Sequence, residues 1–351
     1  MNPRPRPAVI KMAPYHPPTA GRAGKLRLDF NENTVGCSPK VMEALTRLVT
    51  PADLAVYPEY GAAKQSIGRY FGVAEDQFVF TNGTDEAIQV FINTYVDDEQ
   101  EVIVLRPAYA MYRFYAEVAG AKVVEIAYPQ PEMQFPLEAL LAAITPETRA
   151  ILISNPNNPT GTGLSLEDVK RILVRAAHAA VLIDEAYYEF SGITALGEIE
   201  QSPNLFVSRT FSKTFGMAGL RLGCLFSQPA NIAYLHKAQS PYSVNSLAAL
   251  AAQAAVSDTD YIRNYVEEVL AARDLLCAGL EGLGIPYVPS AANFVLGRFG
   301  DRAIEVRDRL RDQAILVRDR SYEAAGCVRI TVGTREQTRR LLSALEEIWK
   351  R

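Results

Sequence analysis

The sequence predicts an α/β protein: a large domain with a mostly parallel sheet sandwiched by helices, then a smaller α+β lobe. Three observations carry this. Short continuous apolar runs alternate with helical stretches from about residue 77, the texture changes after residue 245, and 351 residues are too many for one ordinary core. In order, residues 1–25 hold Pro3, Pro5, Pro7, Pro14, Pro17 and Pro18, a density that predicts an extended arm without a helix. Residues 77–80, 102–105, 150–153, 181–183 and 205–207 are apolar, bounded and often β-branched, as strands buried on both faces are. Helices are expected between them, at 85–95 and 166–177 for example, and this alternation makes the sheet parallel. In the second lobe, Tyr261, Ile262, Tyr265, Val269 and Leu276 follow helical spacing until Gly282 and Gly284 stop it. Strands are expected near 292–299, 314–318 and 327–332, with a helix near 301–313. Thr334 and Gln337 fit a capping box that opens the last helix.

Composition narrows the class. Hydrophobic residues are 48% and charged residues 22%, the balance of a globular chain. No apolar run approaches about 18 residues, so no transmembrane helix is expected. A net charge of −4 argues against nucleic acid or an anionic membrane as partner. Arg4, Arg6 and Lys11 have no apolar stretch behind them, which argues against a secretory signal. Cys37, Cys224, Cys277 and Cys327 stand far apart with no C-x-x-C pair. A reducing cytoplasm is therefore expected, rather than a disulfide framework or a zinc site. His16, His178 and His236 are scattered as well, so no metal site is expected.

The residues with chemical potential cluster after predicted strands. The segment 208–221 contains Thr210, Ser212, Lys213 and Arg221 just past a buried run, where open α/β sheets bind ligands. A poorly solvated lysine beside another cation has a lowered pKa and becomes a usable nucleophile. Taken alone, Lys213 could equally be a solvated loop lysine. Asp184 ends another apolar run, where nothing in a core needs an acid, so it should pair with something cationic, such as a pyridinium nitrogen. Residues 154–161 are turn chemistry after a third strand. Residues 80–86 follow a fourth and open a helix, where backbone N–H groups could receive a phosphate and Gly83 would allow close approach. Asn82-Gly83-Thr84 also fits a glycosylation pattern, set aside without a secretory signal.

As a set, Asn-Gly-Thr-Asp-Glu at 82–86, Pro107-Ala108-Tyr109, Asn-Pro-Asn-Asn-Pro-Thr-Gly at 155–161, Asp-Glu-Ala-Tyr at 184–187 and Ser212-Lys213 with Arg221 resemble one family. It is the class I/II, fold-type I aminotransferases, which use pyridoxal 5′-phosphate (PLP). The resemblance runs from about Pro14 to the C-terminus. Residues 12–17, 31–33, 56–59, 109–112 and 328–334 are most similar to the histidinol-phosphate aminotransferase branch. The resemblance implies an N-terminal arm at 1–25, a PLP-binding domain at 41–250, and a substrate-side domain from 26–40 plus 251–351. It implies a homodimer with a shared active site.

By that resemblance Lys213 binds the cofactor covalently and shuttles the substrate Cα proton, and Asp184 keeps the pyridine nitrogen protonated. Asn158 and Tyr187 would hydrogen-bond the ring's 3′ oxygen, and Tyr109 would stack on the ring. Gly83, Thr84, Asp85, Thr210, Ser212 and Arg221 would form the phosphate site, with Tyr57 reaching it from the partner subunit. Arg329 matches the carboxylate-binding arginine, while Arg318, Tyr15 and Asn33 would complete the substrate side. One anion clamp could serve both the phosphate of histidinol phosphate and the α-carboxylate of glutamate. Arg320 competes with Arg318 for the inward face, and most of the eleven arginines between 297 and 340 should be solvated. Asn33-Thr34-Val35 departs from the proline that often follows Asn-Glu-Asn in this branch. The implied activity is transamination of histidinol phosphate with 2-oxoglutarate. An aromatic or other amino-acid aminotransferase and a threonine-phosphate decarboxylase remain alternatives. A PLP-sensing regulator would need a DNA-binding module that a 25-residue arm cannot supply. An NAD-dependent fold lacks its G-x-G-x-x-G after an early strand.

Overall fold

The structure, a computed structural model, describes residues 3–14, 20–47 and 49–350. The strands in chain order are β1 (Leu26–Leu28), β2 (Phe78–Thr81), β3 (Glu101–Arg106), β4 (Lys122–Ala127), β5 (Thr148–Ser154) and β6 (Ala180–Asp184). They continue with β7 (Leu205–Thr210), β8 (Gly223–Phe226), β9 (Tyr287–Val288), β10 (Phe294–Arg298), β11 (Ile315–Asp319) and β12 (Cys327–Thr331).

Seven of them form the large sheet, in the order β2-β8-β7-β6-β5-β3-β4. Neighbours from β7 through β4 are parallel, and β8 runs antiparallel to both β2 and β7. Alternate side chains feed two different cores. Ile103, Leu105, Ile151, Ile153, Val181 and Ile183 join one cluster. Val102, Val104, Ala150, Leu152 and Leu182 join another on the opposite face. That double burial explains why these strands read as unbroken apolar runs. Two strands of this sheet were not foreseen, nor were the short β1 and β9 of the second sheet. Lys122–Ala127 lies at the sheet edge with a half-exposed, charge-bearing face, and Gly223–Phe226 follows directly on the Lys213 loop.

The second sheet has the order β1-β11-β12-β10-β9, with β1 parallel to β11 and the other pairs antiparallel. Leu28 from the N-terminal side packs into the same core as Phe294, Ile315, Ile330 and the helix Arg335–Trp349. That helix opens with the expected box: Gln337 N donates to Thr334 Oγ1 (3.2 Å), and Thr334 N donates to Gln337 Oε1 (2.9 Å).

Two expectations need correction. The arm is not free of helix: Pro7–Lys11 is helical with Pro7 in the first turn, where its missing N–H costs nothing, and Arg6 Nη2 donates to Ala119 O (3.4 Å). The domain boundary between 250 and 251 falls inside the helix Ser246–Val256, whose Ala248, Ala252 and Ala255 pack into the large-sheet core. The next helix, Thr259–Gly282, buries Ile262 in that core and Tyr265, Val269, Ala272 and Leu276 in the other. The chain therefore changes core within a single helix.

Parallel strands end on one rim. Ser154, Asp184 and Thr210 close β5, β6 and β7 there. A cavity of about 610 Å³ opens at that rim, walled on its other side by β11 and β12.

Candidate active site

Lys213 lies three residues past β7, partly buried at the cavity wall, and its Nζ donates to Phe30 O (2.9 Å). Loss of solvation first, and the nearby Arg329 guanidinium next, lower its pKa to about 8.

Asp184 is 3% exposed at the end of β6. The Tyr112 hydroxyl donates to its Oδ2 (2.8 Å), and Ala186 N donates to Oδ1 (3.2 Å). Burial raises its pKa, and among the described residues no lysine, arginine or histidine pairs with it. A carboxylate so placed, lining a cavity without a protein cation, fits a ligand that brings its own cationic nitrogen.

The opposite end of the cavity is built for an anion. The helix Gly83–Tyr95 begins there, with Thr84 and Asp85 lining the cavity in its first turn. Gly83 has φ +74°, a conformation that L side chains rarely adopt, and the tip of the Arg221 side chain packs close against it. Arg221 Nη1 donates to Ser212 Oγ (3.4 Å), its Nη2 pairs with Asp85 Oδ2 (3.3 Å), and Ser212 N donates to Thr210 Oγ1 (3.1 Å). Tyr109 donates to Asp85 Oδ1 (2.7 Å) and lines the same wall.

Asn158 and Tyr187 reach the cavity from different elements. Asn158 Oδ1 accepts from Arg329 Nη1 (2.6 Å), and the Tyr187 hydroxyl accepts from Asn31 Nδ2 (3.0 Å). Arg329 is 5% exposed; its Nη2 donates to Asp29 O (2.6 Å) and its Nε has no partner. Burial and the neighbouring Arg320 lower its pKa to about 10, which leaves it cationic near neutral pH. Arg318 stands directly opposite Arg329 in the β11–β12 ladder. Arg318 and Arg320 both line the cavity, since strand alternation puts residues two apart on one face and Arg320 lies just past the end of β11.

Not every expected residue arrives. Asn33 is buried outside the cavity lining: its Nδ2 donates to Thr214 O (3.0 Å), while Val35 N (2.8 Å) and Gly36 N (2.9 Å) donate to its Oδ1. Its amide shapes a loop and is not available to substrate, which corrects the substrate-binding expectation. Tyr57 is 73% exposed, away from the cavity, and stacks on Tyr242 with ring centroids 4.4 Å apart. Tyr15 lies outside the described residues.

Sequence reasoning missed Asn31, Phe30 and Tyr112. Asn31 carried a signal of its own: it sits at φ +55°, a left-handed conformation that asparagine tolerates better than most side chains. That bend lets Asn31 N donate to Thr331 Oγ1 (2.9 Å) while its side chain reaches Tyr187. Among the described residues no cluster of metal-ligating side chains occurs, and no helix is long and apolar enough to cross a membrane.

Comparison with known proteins gives the same picture. The profile of the family "Aminotransferase class I and II" matches residues 23–345. A histidinol-phosphate aminotransferase of Geobacillus is 35% identical over 335 residues, 93% of this chain and 90% of its own. Histidinol-phosphate aminotransferase 2 of Ralstonia nicotianae is 37% identical over 333 residues, 92% of this chain and 88% of its own. The crystal structure of the Sinorhizobium meliloti histidinol-phosphate aminotransferase in complex with pyridoxal-5′-phosphate superposes with a TM-score of 0.89 and 25% identity, covering 100% of this chain and 98% of that one. The family match reaches from just before β1 to the last helix, and so takes in both sheets and every wall of the cavity between them: the chain belongs to the class I and II aminotransferases.

Proposed function

We propose that the protein is a PLP-dependent transaminase that moves the amino group of histidinol phosphate to 2-oxoglutarate, giving imidazole acetol phosphate and glutamate in histidine biosynthesis. One observation carries the reading. A single cavity holds a lysine amine with a pKa near 8, a buried carboxylate without a protein cation, a helix N-terminus with Arg221, and a guanidinium group around Arg329. The relatives' names supply the substrate.

When bound, PLP supplies an electron-withdrawing ring that stabilises negative charge at the substrate Cα. The protein's own residues would do the rest. Asp184 would hold a proton at the ring nitrogen, with Tyr112 fixing the carboxylate. Lys213, neutral above about pH 8, would hold the cofactor and move the Cα proton. Asn158 and Tyr187 would orient the ring through its 3′ oxygen, and Tyr109 would cover its face. Thr84, Asp85 backbone amides, Thr210, Ser212 and Arg221 would hold its phosphate. Arg329 and Arg318 would bind the substrate anion. A homodimer in which Tyr57 reaches the partner's cavity, working in the cytoplasm, completes the reading. Its support is the exposure of Tyr57 and four cysteines that remain free.

A substrate panel on the purified holoenzyme tests it, scored for keto product and for carbon dioxide. Histidinol phosphate with 2-oxoglutarate should give glutamate at a kcat/KM well above any aromatic amino acid. Carbon dioxide from threonine phosphate, without transamination of histidinol phosphate, would overturn the substrate and the reaction class together.

A further inference from the structure

Arg320 stands outside the roles assigned above, yet its surroundings constrain it tightly. Its backbone is locked just past β11: its N donates to Cys327 O (2.9 Å), and its carbonyl accepts from Glu323 N (2.9 Å) and Ala324 N (2.8 Å). The side chain is 7% exposed, and its Nη2 pairs with Glu323. Its Cζ lies 5.2 Å from the centroid of the Tyr322 ring. Its Nε is buried and has no partner. A buried guanidinium N–H left unpaired at a cavity wall is a donor waiting for an acceptor.

The charges around it can be counted. Arg318 on β11 and Arg329 on β12 line the same cavity. Glu323 feels all three guanidiniums, the phenols of Tyr187 and Tyr322 face the cluster, and Lys213 and Glu32, the latter paired with Arg22, line the same cavity. Within the arginine cluster and Glu323, three cations and one carboxylate leave an excess of two positive charges. Without Arg320 the excess would be one. A carboxylate brings one negative charge, whereas a phosphate monoester above its second pKa of about 6 brings two.

We propose that Arg320 is a specificity-determining residue: held by Glu323, it is the third guanidinium that matches the cavity to a phosphate-monoester dianion in preference to a carboxylate. The inference rests on the transamination reading above. It divides the clamp's labour: Arg318 and Arg329 accept either anion, and Arg320 supplies the charge that only the phosphate can use.

The test measures KM for histidinol phosphate and for glutamate on the holoenzyme between about pH 5.5 and 8, across the phosphate's second ionisation. In the unaltered protein, KM for histidinol phosphate should fall as pH rises through that ionisation, and KM for glutamate should not follow it. Arg320→Gln should raise KM for histidinol phosphate about tenfold or more, flatten its pH dependence, and change KM for glutamate by less than about threefold. Arg320→Lys should restore the pH dependence. Equal losses for both substrates, or an unchanged pH profile, would overturn the proposal. Should Arg320→Gln fail to fold, the profile of the unaltered protein decides, and a flat one overturns it. If the unaltered holoenzyme does not transaminate histidinol phosphate, the functional reading fails separately. Calorimetric binding of inorganic phosphate then tests Arg320 alone: weakened binding in Arg320→Gln supports it, and unchanged binding overturns it.

Discussion

The Lys213 amine shares its cavity with several arginines, and its reactivity follows from that company. Desolvation disfavours the ammonium first, and Arg329 opposes it next, bringing the pKa from 10.5 to about 8. The neutral, nucleophilic form is therefore the major one above pH 8, whereas an ordinary lysine reaches that point more than two units higher. Competitive acetylation of the cofactor-free protein, mapped peptide by peptide, should show Lys213 titrating with a midpoint near pH 8, well below the range of an ordinary lysine. Arg329→Gln should move the midpoint upward, because a cation is removed and burial remains. A midpoint above 10 in the unaltered chain would refute the cavity environment described here. Asp184 stood out in the sequence because it ends a buried strand with no structural reason to be charged, whereas Lys213 stood out only through the motif around it. Asn33 was misread because an asparagine that caps a loop and one that binds a ligand look alike in sequence. The difference lies in the partners, Thr214 O, Val35 N and Gly36 N, which only folding brings together.

At the scale of elements, the segment from β1 to Gly36 ties the two cores to the site. β1 pairs with β11, Phe30 O takes Lys213, Asn31 reaches Tyr187, and Asn33 holds Thr214. Arg22 fastens this strap: its guanidinium donates to Asp29 (2.8 and 3.0 Å) and Glu32 (2.6 and 3.2 Å) and lies 4.3 Å from the Phe30 ring centroid. Arg22→Ala would leave two neighbouring carboxylates without their shared cation, at a cost of about 1–3 kcal/mol. It should lower Tm by a few degrees and depress kcat/KM for both half-reactions alike, unlike the selective loss expected for Arg320→Gln. An unchanged Tm with unchanged kinetics would show that the strap holds without it. This strap was the least legible element, since a three-residue strand has too few positions to display a period. The strands of the large sheet were legible because burial on both faces demands unbroken apolar runs. The edge strand Lys122–Ala127 was not, because only one of its sides is paired and its lysine and glutamate break the run. The helix Pro7–Lys11 was missed for another reason: proline forbids helix interiors but is accepted in the first turn.

At the scale of the whole molecule, the surface near Tyr57 is apolar where a monomer has no use for it. Leu54 is 62% exposed, Val56 67%, Tyr57 73% and Tyr242 55%, and Tyr57 stacks on Tyr242. Contiguous exposed apolar side chains mark protein contact surfaces, and a two-fold interface would present the same patch from both subunits. If the partner's cavity receives Tyr57, each active site combines Lys213 of one chain with Tyr57 of the other. Chains carrying Tyr57→Ala or Lys213→Ala should then be nearly inactive alone and should complement each other when mixed. In a hybrid dimer, the Tyr57→Ala chain keeps its own Lys213 and borrows an intact Tyr57, while the second site loses both. Random exchange of equal amounts makes half the dimers hybrid with one of two sites intact, so activity should return to about a quarter of the unaltered level. The readout is specific, because neither a folding defect nor an own-chain role for Tyr57 produces recovery on mixing. No recovery after verified chain exchange would confine Tyr57 to its own subunit's surface and leave each cavity to be completed from a single chain.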